Sequence, residues 1–351
     1  MGDQDIFKCD GCGGVMVWDP RSYSFKCPNC DAVRDLQPDR SKVTENPLTY
    51  KKLKTIKASV GTVGTMECTG CGAVIEIQST ETGKECPYCG ASYVLSSKQV
   101  ENIKPDGIVP FAIDKPTLQR NFDAWIKSLK LAPGALKTLY QQDKFQGIYI
   151  PVWTFDAETD TSYTAEGGTK IKKTVRDEQG NTKTVTETQW SPTSGRVHVS
   201  FDDVVVPATD KIKKKFLDKS PYDMNKIVDY KPEYTSGFMS ETFTVDMDKG
   251  HDTAISAMKA EISNVCRADV RSRYDDVRNV RISPTFSDEM YKYVLVPAYM
   301  TAYNFNGKIY NVFINGETGE VSGDSPKSKL KIAVIIAAVI LVLILIKVFS
   351  N

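Results

Sequence analysis

The chain has 351 residues, 41% hydrophobic and 25% charged, enough for more than one domain and a sizeable core. Its formal net charge of +1 supplies no global basic field of the kind that marks a nucleic-acid binder. Nine cysteines need an explanation, and "MGDQDIFKCDGC" at the N-terminus shows no export signal, so metal ligation in a reducing compartment is expected rather than disulfides.

Eight cysteines fall into two sets of one spacing. Residues 1–37 contain Cys9-x2-Cys12-x14-Cys27-x2-Cys30, and residues 64–97 contain Cys68-x2-Cys71-x14-Cys86-x2-Cys89. Each ligand of the second set lies 59 residues after its counterpart. A Cys-x2-Cys turn places two thiolates on one tetrahedral cation, so each quartet reads as a zinc ribbon around a structural Zn2+. Gly13 and Gly72 permit the positive φ of a tight knuckle, and Pro28 and Pro87 preset φ in the second one. A redox dithiol would come singly beside a βαβ pattern that is absent here. Four cysteine ligands leave no open position for water, which argues against catalytic zinc.

Both ribbons are acidic. Residues 1–40 hold five Lys/Arg against seven Asp/Glu, and residues 65–97 hold Lys84 against four glutamates. Phosphate contact needs cations, so charge placement speaks against base readout. The basic residues Arg40, Lys42, Lys51, Lys52, Lys54 and Lys57 lie in residues 38–63, against two acids, Asp39 and Glu45. That segment reads as a solvated tether, able to rest on anionic lipid at about 1 kcal/mol per cation near the surface.

Residues 98–326 read as an α+β domain with an antiparallel sheet. Asp114-Lys115-Pro116 starts a helix whose Leu118, Phe122, Trp125, Ile126 and Leu129 share a face. A short helix is expected over Pro133–Gln142. From Gly147 the period becomes two, with a hairpin turn at Gln179-Gly180-Asn181 and a further strand in "GRVHVSFDDVVVP", where His198 faces outward. A helix from about Asp248 to Tyr274 places Ile255, Met258, Ile262, Val265 and Cys266 on one side. Strands then return, with turns at Asn306-Gly307 and Glu317-Thr318-Gly319. "YIPVW" (Tyr149–Trp153) and "LVPAY" (Leu295–Tyr299) each follow a helix, which suggests two related halves.

This domain offers little chemistry. His198 and His251 are far apart with no clustered acids, and His251, in a first helical turn, is expected to be solvated. Walker, Rossmann and nucleophile-elbow motifs are absent. Cys266 reads as core. The expectation is a protein that is not an enzyme.

Residues 327–351 differ from all the rest. Ile332 to Ile346 are fifteen uninterrupted apolar residues between Lys331 and Lys347. As a helix they span about 22 Å, and snorkelling of the two lysines brings the segment close to the roughly 30 Å hydrocarbon thickness. A core helix would keep a polar stripe that is missing here, so Leu330–Phe349 reads as a single-pass transmembrane tail anchor. Lys327, Lys329 and Lys331 ahead of it place the preceding residues in the cytoplasm. Ala333, Ala337 and Ala338 could pack a second helix in a homo- or hetero-oligomer.

The tandem ribbons, "IKPDGIVPFAIDK" (Ile103–Lys115), "IPVWTFDAETDTSY" (Ile150–Tyr163) and the anchor together resemble the bacterial TFIIB-type zinc-ribbon membrane proteins. The resemblance implies a membrane platform linked to a PspA-like membrane-stress protein, which recruits an SPFH-type protein to the cell membrane. The fold class expected is multidomain: two small all-β zinc ribbons projecting from an α+β domain, and a transmembrane helix. The leading functional expectation is a membrane-anchored adaptor for a protein partner. A membrane-tethered nucleic-acid binder, and an accessory subunit or enzyme with an unseen site, are the alternatives.

Overall fold

The structure, a computed structural model, describes residues 7–35, 43–49, 61–76, 85–91, 93–134, 145–176 and 182–349. It is mostly β, with antiparallel pairing dominant. In chain order the first elements are β1 (Val17–Asp19), β2 (Ser24–Lys26), β3 (Val33–Arg34), β4 (Asn46–Pro47), β5 (Gly61–Cys68), β6 (Val74–Glu76), β7 (Tyr93–Asn102) and β8 (Gly107–Ile108). Strands β1-β2-β3 form one small sheet and β6-β5-β7 another, each carrying one cysteine quartet.

Helix α1 (Lys115–Ser128) begins where the sequence indicates. Asp114 Oδ1 accepts from the Thr117 N–H at 2.9 Å, and Pro116 sits in the first turn, where no N–H is needed. Leu118, Phe122 and Ile126 are buried. The helix expected over Pro133–Gln142 lies largely outside the described residues, as does the turn Gln179-Gly180-Asn181.

The centre of the fold is a nine-stranded sheet built on β9 (Gln146–Arg176), β10 (Thr182–Pro207) and β13 (Asp276–Phe305), in the order β10-β9-β13-β14-β15. The sequence suggested several shorter strands. Instead β9 is continuous for 31 residues, roughly 100 Å at 3.3 Å per residue. Between β10 and β13 the chain forms α2 (Lys214–Lys219), β11 (Val228–Asp229), β12 (Met239–Ser240) and α3 (Met247–Arg271). It closes with β14 (Lys308–Asn315), β15 (Val321–Gly323) and α4 (Lys329–Phe349).

Burial along β9 records what covers it. Residues 148–157 are all buried, as a strand covered on both faces must be. From Ala157 to Ala165 burial alternates, because only α3 lies on the sheet there. Ala254, Met258, Ile262, Cys266 and Val270 of α3 are each 2% exposed or less, and meet Phe155, Ala157 and Tyr163. Cys266 is core, as expected. Beyond Gly168 no helix among the described residues follows, and β9 and β10 continue as a two-stranded ribbon with exposed faces.

Ile150 and Val296 are Cα partners between β9 and β13. Around them the two strands make matching bonds. Tyr149 O accepts from Glu241 N–H at 3.0 Å and Leu295 O from Val109 N–H at 2.9 Å. Pro151 O accepts from Ala208 N–H at 2.9 Å and Pro297 O from Gly316 N–H at 2.8 Å. Strand β12 runs parallel to Ile148 and Tyr149, and β8 parallel to Val294 and Leu295.

Two expectations are corrected here. The ribbons do not project: their cysteines and hydrophobic residues belong to the same buried clusters as the central sheet. Residues 43–49, within the segment read as a tether, are docked, with β4 pairing Met290 and Tyr291 and with Lys292 bonded to Glu45. The cations of that segment, Arg40, Lys42, Lys51, Lys52, Lys54 and Lys57, lie outside the described residues. The Lys331 ammonium donates to the carbonyls of Ala132 (2.7 Å) and Lys130 (3.3 Å), pinning the start of α4 to the loop after α1.

Candidate metal centres and the surfaces around them

Each of the four Cys-x2-Cys turns closes with one hydrogen-bond pattern. The leading cysteine donates its N–H to the carbonyl five residues on, and the residue four on donates back: Cys9 with Gly14 and Gly13, Cys27 with Ala32 and Asp31, Cys68 with Ala73 and Gly72, Cys86 with Ala91 and Gly90. The residue four after the leading cysteine is left-handed every time, at φ 72° for Gly13, 58° for Asp31, 70° for Gly72 and 77° for Gly90. Three glycines supply this cheaply, and Asp31 is among the side chains that tolerate it. Sequence reading found Gly13 and Gly72 but missed Asp31 and Gly90. The shared position, directly after the second cysteine, was the available signal.

These turns bring Cys9, Cys12, Cys27 and Cys30 together, and separately Cys68, Cys71, Cys86 and Cys89, with all sulfurs of each set within 4.8 Å of one another. Sγ separations are 3.5 Å for Cys9–Cys30 and for Cys12–Cys27, 3.4 Å for Cys68–Cys89 and 3.6 Å for Cys71–Cys86. A tetrahedral ion with about 2.3 Å bonds to sulfur needs edges of about 3.8 Å, so both quartets fit a metal of that kind. The backbone N–H of Asn29, then that of Cys30, hold the Cys27 thiol down to about 7 despite its burial. Burial raises the Cys68 thiol, but the N–H groups of Cys71 and Gly70 outweigh it and hold it near 7. Thiolate is the ligating form, so Cys27 and Cys68 are the poised ligands, whereas on Cys30 the Ala32 N–H is outweighed by Cys12, Cys9 and Cys27, which push it up to about 12, and burial raises Cys71.

Both quartets are fused to the domain. In the first ribbon Trp18, 3% exposed, donates Nε1–H to Phe111 O at 2.7 Å and packs edge-on against Phe25 and Tyr234. Ser236 Oγ donates to Met16 O at 2.7 Å. In the second, Tyr88, between Cys86 and Cys89, donates its hydroxyl to Glu241 Oε2 at 2.5 Å. Thr209 donates to Glu241 Oε1 at 2.7 Å, and Thr242 N–H reaches Val74 O at 3.2 Å, so the edge of β6 is used within the molecule. Burial pushes the Glu241 carboxyl up to about 7, against the pull of its two hydroxyl donors. Burial alone raises Glu76, on the same ribbon, to about 7.

The histidines are better partnered than the sequence suggested. His198 faces outward, as expected, but lies between Glu158 (Nε2 to Oε2, 2.9 Å) and Asp160 (Nδ1 to Oδ1, 3.1 Å) of the neighbouring strand. Asp160 first, and then Glu158, raise its pKa above the usual value. His251 is not solvated: its ring is half-buried near Phe155, and Nε2 lies 2.6 Å from Glu289 Oε2.

Two outer surfaces stand apart. One face of the projecting hairpin sets Lys170, Lys172, Thr174 and Arg176 beside Thr188, Thr186, Thr184 and Thr182. The other is α4, in which Lys329–Lys347 form a 19-residue apolar helix with mean hydropathy 2.9, none of it buried. By length and composition this helix can cross a membrane.

Over 339 residues, 93% of this chain and 92% of the relative, the sequence is 24% identical to the uncharacterized protein YdjG of Bacillus subtilis (strain 168). No family model matches the chain, and no solved structure matches it. The comparison supplies a distant relative of similar length and no activity.

Proposed function

We propose that this chain is a membrane-anchored adaptor of the TFIIB-type zinc-ribbon membrane proteins. Its two cysteine quartets hold structural Zn2+, α4 fixes it in the cell membrane, and the domain ahead of α4 stands in the cytoplasm and recruits a protein partner. The expected partner, an SPFH-type protein linked to a PspA-like membrane-stress response, comes from the resemblance and from no contact in the structure. The observation that carries the reading is α4 itself, a fully exposed apolar helix whose first turn is bonded to the folded domain through Lys331. Exposed apolar surface on that scale needs lipid to cover it. Closed coordination by four cysteines suits a supporting role for the metal, because no position is left for a substrate.

A second reading has its own observation. Among the described residues, the hairpin face with Lys170, Lys172 and Arg176 carries no acid, and a two-stranded β-ribbon fits a major groove, so a membrane-tethered nucleic-acid binder would use this arm. Recovery of the full-length protein from detergent-solubilised membranes, with and without nuclease, separates the two. The adaptor predicts a cytosolic protein partner, held at the membrane by this chain, that survives nuclease. Recovery of nuclease-sensitive replication or transcription proteins alone would replace it with the second reading.

A further inference from the structure

A cluster of carboxylates lies away from the cysteines, where β9 enters the arm. The strands on both sides of Asp156 shift register, β10 between Phe201 and Val204 and β13 between Ser287 and Met290. The first shift brings Asp202 and Asp203 over Asp156, and β4 brings Glu45 from the segment that joins the two ribbons. Carboxylate oxygens of Glu45, Asp156 and Asp202 lie within 4.8 Å of one another. Asp156 is 8% exposed; its Oδ1 accepts from the Asp203 N–H at 2.5 Å, and its Oδ2, buried, has no hydrogen-bond donor.

Charge is left over as well. Lys292, 5% exposed, places its ammonium 2.9 Å from Glu45 Oε1 and 2.8 Å from Asp203 Oδ1. Four carboxylates, Glu45, Asp156, Asp202 and Asp203, against one ammonium leave three negative charges. A buried, unpaired carboxylate oxygen is costly unless a donor or a cation meets it. Burial accordingly raises the Asp156 carboxyl to about 6, with the Asp203 N–H and Lys292 opposing it.

We infer that Asp156, Asp202 and Glu45 bind one hard divalent cation of the Mg2+/Ca2+ class. The donor set is all oxygen, which selects that class over the soft-ligand ions suited to the cysteine quartets. Exposed Asp202 and Glu45 leave room for water to complete the coordination shell, while Asp156 fixes the ion to the central strand. Because Glu45 belongs to the inter-ribbon segment, the ion clamps that segment onto the sheet beside Lys292.

The test uses full-length, zinc-loaded protein in detergent, with Mn2+ as the probe, followed by loss of the free-ion EPR signal. One Mn2+ per chain should bind, and Ca2+ or Mg2+ should displace it. Asp202→Asn, at an exposed position, should weaken uptake by about ten-fold or more, and Asp156→Asn should abolish it. Asp160→Asn, on the arm's outer face, should leave uptake unchanged. Zinc content of two per chain reports that each variant is folded; should Asp156→Asn fail that check, Asp202→Asn decides alone. The inference is overturned if wild type takes up no Mn2+ at about 1 mM, or if Asp202→Asn binds as wild type does, or if uptake depends on Asp160 instead.

Discussion

Tyr88 and Glu241 are 153 residues apart and share a 2.5 Å hydrogen bond inside the protein, with Glu241 0% exposed. Tyr88 stands within the second knuckle of its quartet, so one phenol couples a turn of the cysteine quartet to the central sheet. Glu241→Ala would remove the carboxylate that accepts from Tyr88 and Thr209 and should cost about 1–3 kcal/mol. A double-mutant cycle with Tyr88→Phe in denaturant unfolding should return a coupling of about 0.5 kcal/mol or more. Additive effects would mean that the ribbon does not rest on Glu241.

The same carboxyl gives a pH signature. Its pKa of about 7 in the folded protein lies above the unfolded value, so the folded state holds the proton more tightly. Its contribution is full below about pH 4.5 and is lost as pH rises through 7. Glu241→Gln should therefore gain thermal stability relative to wild type as pH rises from about 4.5 to 7, and keep that gain above 7. Comparing the two proteins at each pH cancels the pH dependence of the metal. A constant difference across that window would contradict the assignment.

Metal loss should be separable by ribbon. Cys27→Ser and Cys68→Ser should each lower bound zinc from two ions per chain to about one. Only Cys27→Ser should shift Trp18 emission to the red, since Trp18 is buried against Phe25 and Tyr234 of the first ribbon interface. Full zinc content in either variant would show that the quartet is not the site.

Helix α3 meets the sheet closely at Gly250, where an added Cβ would fall 2.7 Å from Trp153 Cδ1. Alanine normally gains up to about 1 kcal/mol over glycine inside a helix. Here overpacking against the buried indole should outweigh that, and Gly250→Ala should unfold at lower denaturant. A gain in stability would show that α3 is held less tightly.

What the sequence disclosed was what local chemistry dictates. Four thiolates on one ion fix the spacing of Cys9 to Cys30 and of Cys68 to Cys89, and Asp114 with Pro116 fixes a helix start. The apolar run after Lys331 is visible by composition alone. Contacts across long separations were hidden: Trp18 with Phe111, Tyr88 with Glu241, and the carboxylates of Glu158 and Asp160 about His198. The length of the central strands was hidden too, because Pro151, Pro192, Pro284 and Pro297 look like breaks yet lie within β9, β10 and β13. The Asp156 cluster needs β4, β9 and β10 side by side, which no single stretch of sequence encodes.

The most direct measurement follows the partner recovered with the full-length protein through cell fractionation, beside a chain that stops after Lys327. The account predicts that this partner moves from the membrane to the soluble fraction when α4 is removed, and stays bound to the shortened chain. A partner that remains in the membrane without α4, or that leaves the complex on nuclease treatment, would contradict it.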